Sequence, residues 1–230
     1  MKLEIKNLSK SYGEKEVLKN INFTFEENKI YGLIGRNGAG KTTFFNALNE
    51  DIEIDTGEVL LDGEKLTCND IGYVISTPIV PEFLTAREFV TFFLETHKDI
   101  ENLKDADYYF ELVSIDKEDQ DKLLKDYSHG MKNKIQLLIN IINNPKVILL
   151  DEPLVSLDVI VQDNIKKLLK NLKKDHIVIF STHILELALD LCDEIVLIKD
   201  KNFEEVKKSN LGTKKYKDKI LKILKEEENV

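Results

Sequence analysis

Gly35-Arg36-Asn37-Gly38-Ala39-Gly40-Lys41-Thr42 is the stretch on which the reading of this chain turns. Just before it, Ile30-Tyr31-Gly32-Leu33-Ile34 is a short apolar run with the character of a strand, and just after it Thr42 to Leu48 has a helical pattern. A glycine-rich turn between strand and helix aims several backbone N–H groups, and the positive end of the helix dipole, at one point. A lysine at Lys41 reaches β- and γ-phosphates, and a hydroxyl at Thr42 takes a place on Mg²⁺. At average composition the four fixed positions recur by chance in about one chain of this length per hundred. The octet points to a site for a nucleoside triphosphate rather than to a plain glycine turn.

The 230 residues suit one domain with a modest insert and suffice for a full hydrophobic core. A net charge of -9 argues against a broad nucleic-acid surface, so no nucleic-acid partner is expected. Cys68 and Cys192 lack metal-ligand spacing and read as reduced thiols, which suggests a cytoplasmic protein. No run approaches the roughly 18 apolar residues of a membrane span. Met1-Lys2-Leu3-Glu4-Ile5-Lys6 alternates as a strand does and does not resemble a signal peptide. Any role at a membrane is therefore expected to come through a partner.

Residues 2–7 and 16–25 alternate like strands around the turn Ser11-Tyr12-Gly13-Glu14, and Glu58-Val59-Leu60-Leu61 and Ile71-Gly72-Tyr73-Val74-Ile75 add two more. Val147–Leu150, Ile177–Phe180 and Glu194–Ile198 are apolar runs of the kind parallel strands show when buried on both faces. Helical patterns fall at about 86–97, 103–114, 129–143, 159–173 and 183–191. Alternating strands and helices predict an α/β core with a mostly parallel sheet. The stretch near 83–140 reads as a helical lobe inserted between core strands. From Lys207 the chain is rich in lysine, with Tyr216, Ile220, Leu221, Ile223 and Leu224 on one face of a terminal helix.

A phosphate loop needs a metal anchor, and Leu149-Leu150-Asp151-Glu152-Pro153 supplies one where open α/β sheets place ligands. Asp151 is expected to hold Mg²⁺ opposite Thr42, and Glu152, one residue on, to polarise the attacking water as general base. The only arginines are Arg36, within the loop, and Arg87, far along the chain. Neither suits an arginine finger, so another group must stabilise the γ-phosphate. Ser181-Thr182-His183 offers His183 at the same edge of the sheet.

In order and spacing, the phosphate loop (35–42), Asp151-Glu152-Pro153, Ser156-Leu157-Asp158 and Ser181-Thr182-His183 resemble the nucleotide-binding subunit of an ATP-binding cassette (ABC) transporter. The resemblance spans about residues 1–200. It implies a P-loop ATPase fold with a mostly parallel core sheet, an antiparallel β subdomain and an inserted α-helical subdomain at about 77–143. The cassette would occupy 1–210, with an amphipathic helix at 211–230. It implies ATP and Mg²⁺ as ligands, with Gly35, Arg36, Asn37, Gly38, Ala39, Gly40, Lys41, Thr42 and Thr43 cradling the phosphates. Tyr12 would stack on adenine, and His183 would contact the γ-phosphate.

The family's Leu-Ser-Gly-Gly-Gln signature aligns with Tyr127-Ser128-His129-Gly130-Met131, which keeps Ser128 and Gly130. Ser128 is placed to cap the following helix. The resemblance implies that this helix end meets the γ-phosphate held by a second cassette, with Asp158 across the seam, which accounts for the missing arginine finger. Where the family carries Gln after Ile-Gly-Tyr-x-x, this chain has Ser76, a shorter group at the metal and lytic water, so slower hydrolysis or weaker coupling is expected. Met131 and the segment Thr77-Pro78 … Phe83-Leu84-Thr85-Ala86-Arg87-Glu88 resemble drug- and peptide-exporting members. The function implied is ATP hydrolysis that drives a transmembrane permease, with the chain held at the inner face of the cell membrane through that permease. A soluble ABC ATPase acting on ribosomes or nucleic acid, and a slowly hydrolysing regulator, are the alternatives.

Overall fold

The computed structural model describes residues 1–98, 100, 103–154, 159–207 and 220. Strand β1 (Lys2–Tyr12) pairs antiparallel with β2 (Lys15–Glu26), and β3 (Ile30–Ile34) leads through the phosphate loop into α1 (Lys41–Leu48). The chain then returns to the hairpin as β4 (Thr56–Leu61) and β5 (Glu64–Lys65), giving a four-stranded antiparallel sheet in the order β2-β1-β4-β5. The remaining strands are β6 (Ile71–Val74), β7 (Val147–Asp151), β8 (Ile177–Thr182), β9 (Glu194–Lys199) and β10 (Asn202–Lys207). With β3 they form a six-stranded sheet in the order β10-β9-β3-β8-β7-β6, parallel except for the edge strand β10.

The apolar runs divide their side chains between two cores, as a pleat of period two requires. Ile148 and Leu150 of β7, Val178 and Phe180 of β8 and Ile195 and Leu197 of β9 join one core with the helices. Val147, Leu149, Ile177, Ile179, Val196 and Ile198 join the other, with Phe44 and Phe45 of α1 and the inner face of the antiparallel sheet. The six-stranded sheet is thus covered on both sides, and its five parallel strands deliver their carboxyl ends to one edge. At β3, Gly32 leaves only enough room for a neighbour: a Cβ there would lie 2.8 Å from the Cys192 Sγ. Cys192 is buried and Cys68 is exposed.

Between β6 and β7 the described residues form no strand, only helices, the turns that join them and one bridge, Thr85 to Leu123. These are α2 (Ala86–Thr96), α3 (Ala106–Leu112), α4 (Lys117–Gln120) and α5 (His129–Asn143). Thr85 and Glu88 form a reciprocal capping box that starts α2. Asp105 accepts the Tyr108 N–H at 2.9 Å, which moves the start of α3 to residue 106 from the expected 103. Beyond β7 lie α6 (Val159–Leu172) and α7 (Leu185–Leu191). Asp158 and the tail 211–230 lie outside the described residues except for Ile220, which is fully buried against the helix-side core.

Two further elements differ from the sequence reading. Strand β1 runs on to Tyr12 through register shifts after Ile5, Leu8 and Lys10, so the connection to β2 is confined to Gly13 and Glu14. Strand β10 escaped detection because Glu204-Glu205 interrupts its apolar residues, as suits an edge strand with one open flank.

Gly57 fixes the seam between β4 and β1. It has φ of 96°, and a Cβ there would stand 2.5 Å from the Lys6 carbonyl oxygen. Gly57→Ala is expected to lower stability by about 2 kcal/mol or more, from the left-handed backbone and the clash together. Thermal unfolding of the variant beside the parent chain measures this.

Candidate nucleotide site

The phosphate loop sits at the carboxyl end of β3, and α1 begins where the loop ends. Gly40, the residue before α1, has φ of 106°, with Leu18 Cδ2 and Val17 Cγ1 3.0 and 3.1 Å from where a Cβ would lie. Only glycine satisfies both the left-handed backbone and that crowding. Lys41 is 6% exposed and donates from Nζ to the carbonyl oxygens of Gly35 at 2.7 Å and Arg36 at 3.2 Å. Burial pulls its ammonium below the ordinary lysine range, against the upward pull of the Glu152 and Asp151 carboxylates. Its Nζ lies 3.7 Å from Glu152 Oε1. A cation so poorly solvated gains strongly from an incoming anion.

Asp151 ends β7, is 2% exposed, and is held from two sides. The Thr42 hydroxyl donates to Oδ2 at 2.7 Å, and the Ser181 hydroxyl donates to Oδ1. Ser181 is the functional residue that sequence reasoning passed over. It stands directly opposite Asp151 in the β7–β8 register, and its Oγ also accepts the Glu152 N–H at 3.1 Å. A hydroxyl residue closing an apolar strand beside His183 was the available signal.

Glu152 has φ of 52°, a backbone region non-glycine residues avoid at a cost of about 1–3 kcal/mol, and such strain concentrates at functional sites. Its Oε1 lies 2.9 Å from His183 Nδ1, while Oε2 is buried with no hydrogen-bond partner among the described residues. A buried carboxylate oxygen left open costs free energy until a donor arrives.

Asn37, Gly38, Gly40, Lys41, Thr42, Thr43, Ser76, Asp151 and Glu152 line one cavity of about 290 Å³. Thr42, Ser76 and Asp151 present an all-oxygen donor set suited to a hard divalent cation, and the open Glu152 oxygen suits a water beside it. Ala39 lies on the other flank of the loop, in a hollow with Lys15, Val17, Ile198 and Lys201. His183 is half-exposed beside Glu152. Tyr12 stands at the end of β1, 50% exposed, and lines neither hollow. Ser128 caps α5, its Oγ accepting the Met131 N–H at 3.2 Å. Ser128 and Gly130 lie at the start of α5 and are not among the residues lining the phosphate cavity. A larger hollow of about 720 Å³ in the helical segment is lined by the four carboxylates of Asp105, Asp107, Glu111 and Asp116 against the single cation of Lys117, a balance unsuited to phosphate.

This arrangement is that of a nucleotide-hydrolysing cassette. The family described as ABC transporter matches residues 18–155, and the chain belongs to it as an ATP-binding subunit with ATPase activity. It is 36% identical over 204 residues to the uncharacterized ABC transporter ATP-binding protein YxlF of Bacillus subtilis (strain 168), covering 86% of this chain and 68% of that protein. It is 32% identical over 203 residues to the lantibiotic transport ATP-binding protein SrtF of Streptococcus pyogenes, covering 85% and 86%. Its fold matches the dimeric, post-hydrolysis structure of the ATP-binding cassette MJ0796 bound to ADP and Pi. That match has a TM-score of 0.78 at 25% identity and covers 90% of this chain and 98% of the other. Among the described residues no helix is long and apolar enough to cross a membrane.

Ser181→Ala removes a donor from the buried Asp151 carboxylate and an acceptor from the Glu152 N–H. A loss of about 1–3 kcal/mol is expected, read as a lowered denaturant midpoint with an unchanged slope.

Proposed function

We propose that this chain energises an exporter of drugs, peptides or lipids, working as a pair of cassettes that closes on ATP and opens on hydrolysis. The observation that carries the reading is the 2.7 Å contact between Thr42 Oγ1 and Asp151 Oδ2, which unites two phosphate motifs 109 residues apart in one cavity. Gly35 to Thr43 cradles the phosphates, and Lys41 exchanges its carbonyl contacts for phosphate oxygens. Thr42, Asp151 and Ser76 would hold Mg²⁺. Bound there, the metal supplies charge neutralisation at the β- and γ-phosphate oxygens. Glu152 takes a proton from the attacking water, and His183, already at its carboxylate, orients that water and the γ-phosphate.

The cassette would occupy 1–210, with a helical lobe at about 77–143, and 211–230 would form a terminal amphipathic helix. Ser128 and Gly130, at the capped start of α5, complete the partner cassette's site, and Asp158 lies across the seam. Arg87 takes no part in this, because Asp107, Asp121 and Gln120 engage its guanidinium within the helical segment. The export direction draws support from a 31% identical relative, the lipopolysaccharide export system ATP-binding protein LptB of Haemophilus influenzae, and from the segment 77–88. There Ile79 and Phe83 stand 76% and 79% exposed, an apolar offering to the cytoplasmic helices of a permease. The chain would be cytoplasmic, held at the inner face of the membrane by that permease.

Lys41→Ala is expected to abolish ATP binding in calorimetric titration. Glu152→Gln, which leaves the loop intact but weakens the base, is expected to form a dimer with ATP and Mg²⁺ by light scattering. A Glu152→Gln protein that binds ATP and hydrolyses it at the parental rate would overturn the assignment of the base. A variant that binds ATP but stays monomeric would overturn self-pairing.

A further inference from the structure

Tyr12 lies at the end of β1 with half its surface open, and one face of its ring is already occupied. The Lys10 ammonium sits over that ring, 5.3 Å from its centroid. Lys10 is not loose: its side chain is 14% exposed, and its Nζ lies 3.6 Å from Asp55 Oδ1. The other Asp55 oxygen accepts the Ser11 N–H at 2.7 Å, between the two residues concerned. The Asp55 N–H in turn donates to the Ser9 carbonyl oxygen at 2.9 Å. One carboxylate thus ties the end of β1 by its backbone and by a lysine side chain, just past the register shift between Lys10 and Ser11.

We infer that Lys10, anchored by Asp55, is a positioning residue for the nucleotide base: it holds one face of the Tyr12 ring so that the other face is presented for stacking. This rests on the reading of Tyr12 as the base platform. A free tyrosine on a strand end samples several rotamers, and binding a base must then fix one of them. The cation over the ring reduces that loss, and the Asp55 carboxylate keeps the cation in place. The brace acts through the ring, so its effect concerns the base and not the phosphates. A cation–π contact at a partly exposed site corresponds to about twofold to fivefold in affinity.

The test is calorimetric binding of ATP and of inorganic tripolyphosphate, which has phosphates but no base, to Lys10→Met, Tyr12→Ala and the double variant. Methionine keeps the apolar stem of Lys10 and removes only the ammonium, and Lys10→Arg serves as the conservative rescue. The expected result is that Lys10→Met weakens ATP about twofold to fivefold and leaves tripolyphosphate unchanged. Lys10→Arg should restore the parental value, and Lys10→Met should add no loss in the Tyr12→Ala background. Equal loss for tripolyphosphate would mean that Lys10 acts on the phosphates by charge, and would overturn the proposal. So would a full loss that persists without the Tyr12 ring, or an unaltered ATP affinity in Lys10→Met while Tyr12→Ala weakens it. If Tyr12→Ala leaves ATP binding unchanged, the platform reading itself fails and the brace with it.

Discussion

The carboxylate of Asp151, buried at the end of β7 and gripped by the hydroxyls of Thr42 and Ser181, is the interaction on which the rest of the site depends. It links three strand ends: Thr42 lies in the first turn of the helix that follows β3, Asp151 closes β7, and Ser181 lies near the end of β8, which runs between those two strands. A negative charge with little solvent is tolerable only with such donors around it. Those donors come from segments far apart in sequence, so the charge is satisfied only when the parallel sheet is assembled in register. Folding and the preparation of the phosphate site are therefore one event.

The pleat of β7 divides labour between its last residue and the next. Val147 and Leu149 lie in the core beneath α1, and Ile148 and Leu150 lie in the helix-side core. Asp151 continues the first series and meets Thr42. Glu152 leaves the strand with a left-handed backbone and meets His183 and Lys41 instead. Two adjacent carboxylates thereby have different neighbours. Lys41 is satisfied by backbone carbonyls and a carboxylate, and Glu152 Oε2 has no hydrogen-bond partner among the described residues. Both are arrangements that an incoming phosphate and water would improve.

Much of this was legible in the sequence because the signals were local. The octet 35–42, the apolar run into Asp151 and the alternation of strands and helices each depend on neighbouring residues, and Asn37, Gly38, Gly40, Lys41 and Thr42 of the octet share one cavity with Asp151 and Glu152. What stayed hidden depends on cross-chain pairing. Ser181 gains meaning only from standing opposite Asp151, and the β1 extension only from register shifts that let it run on to Tyr12. Strand β10 exists because β9 offers an edge, since its own pattern is broken by two glutamates. α3 starts at Ala106 because one capping contact from Asp105 outweighs the helical pattern that begins at 103.

The close approach of Gly32 to Cys192 carries a consequence for the thiols. Sulfur at Cys192 has backbone where an added oxygen or reagent would need to go, so modification there requires β3 and α7 to part. Cys68, on the surface, has no such requirement. The chain therefore contains a fast and a slow thiol whose labelling rates separate surface chemistry from opening of the parallel sheet, and the slow one reports how often the floor beneath the phosphate loop breathes.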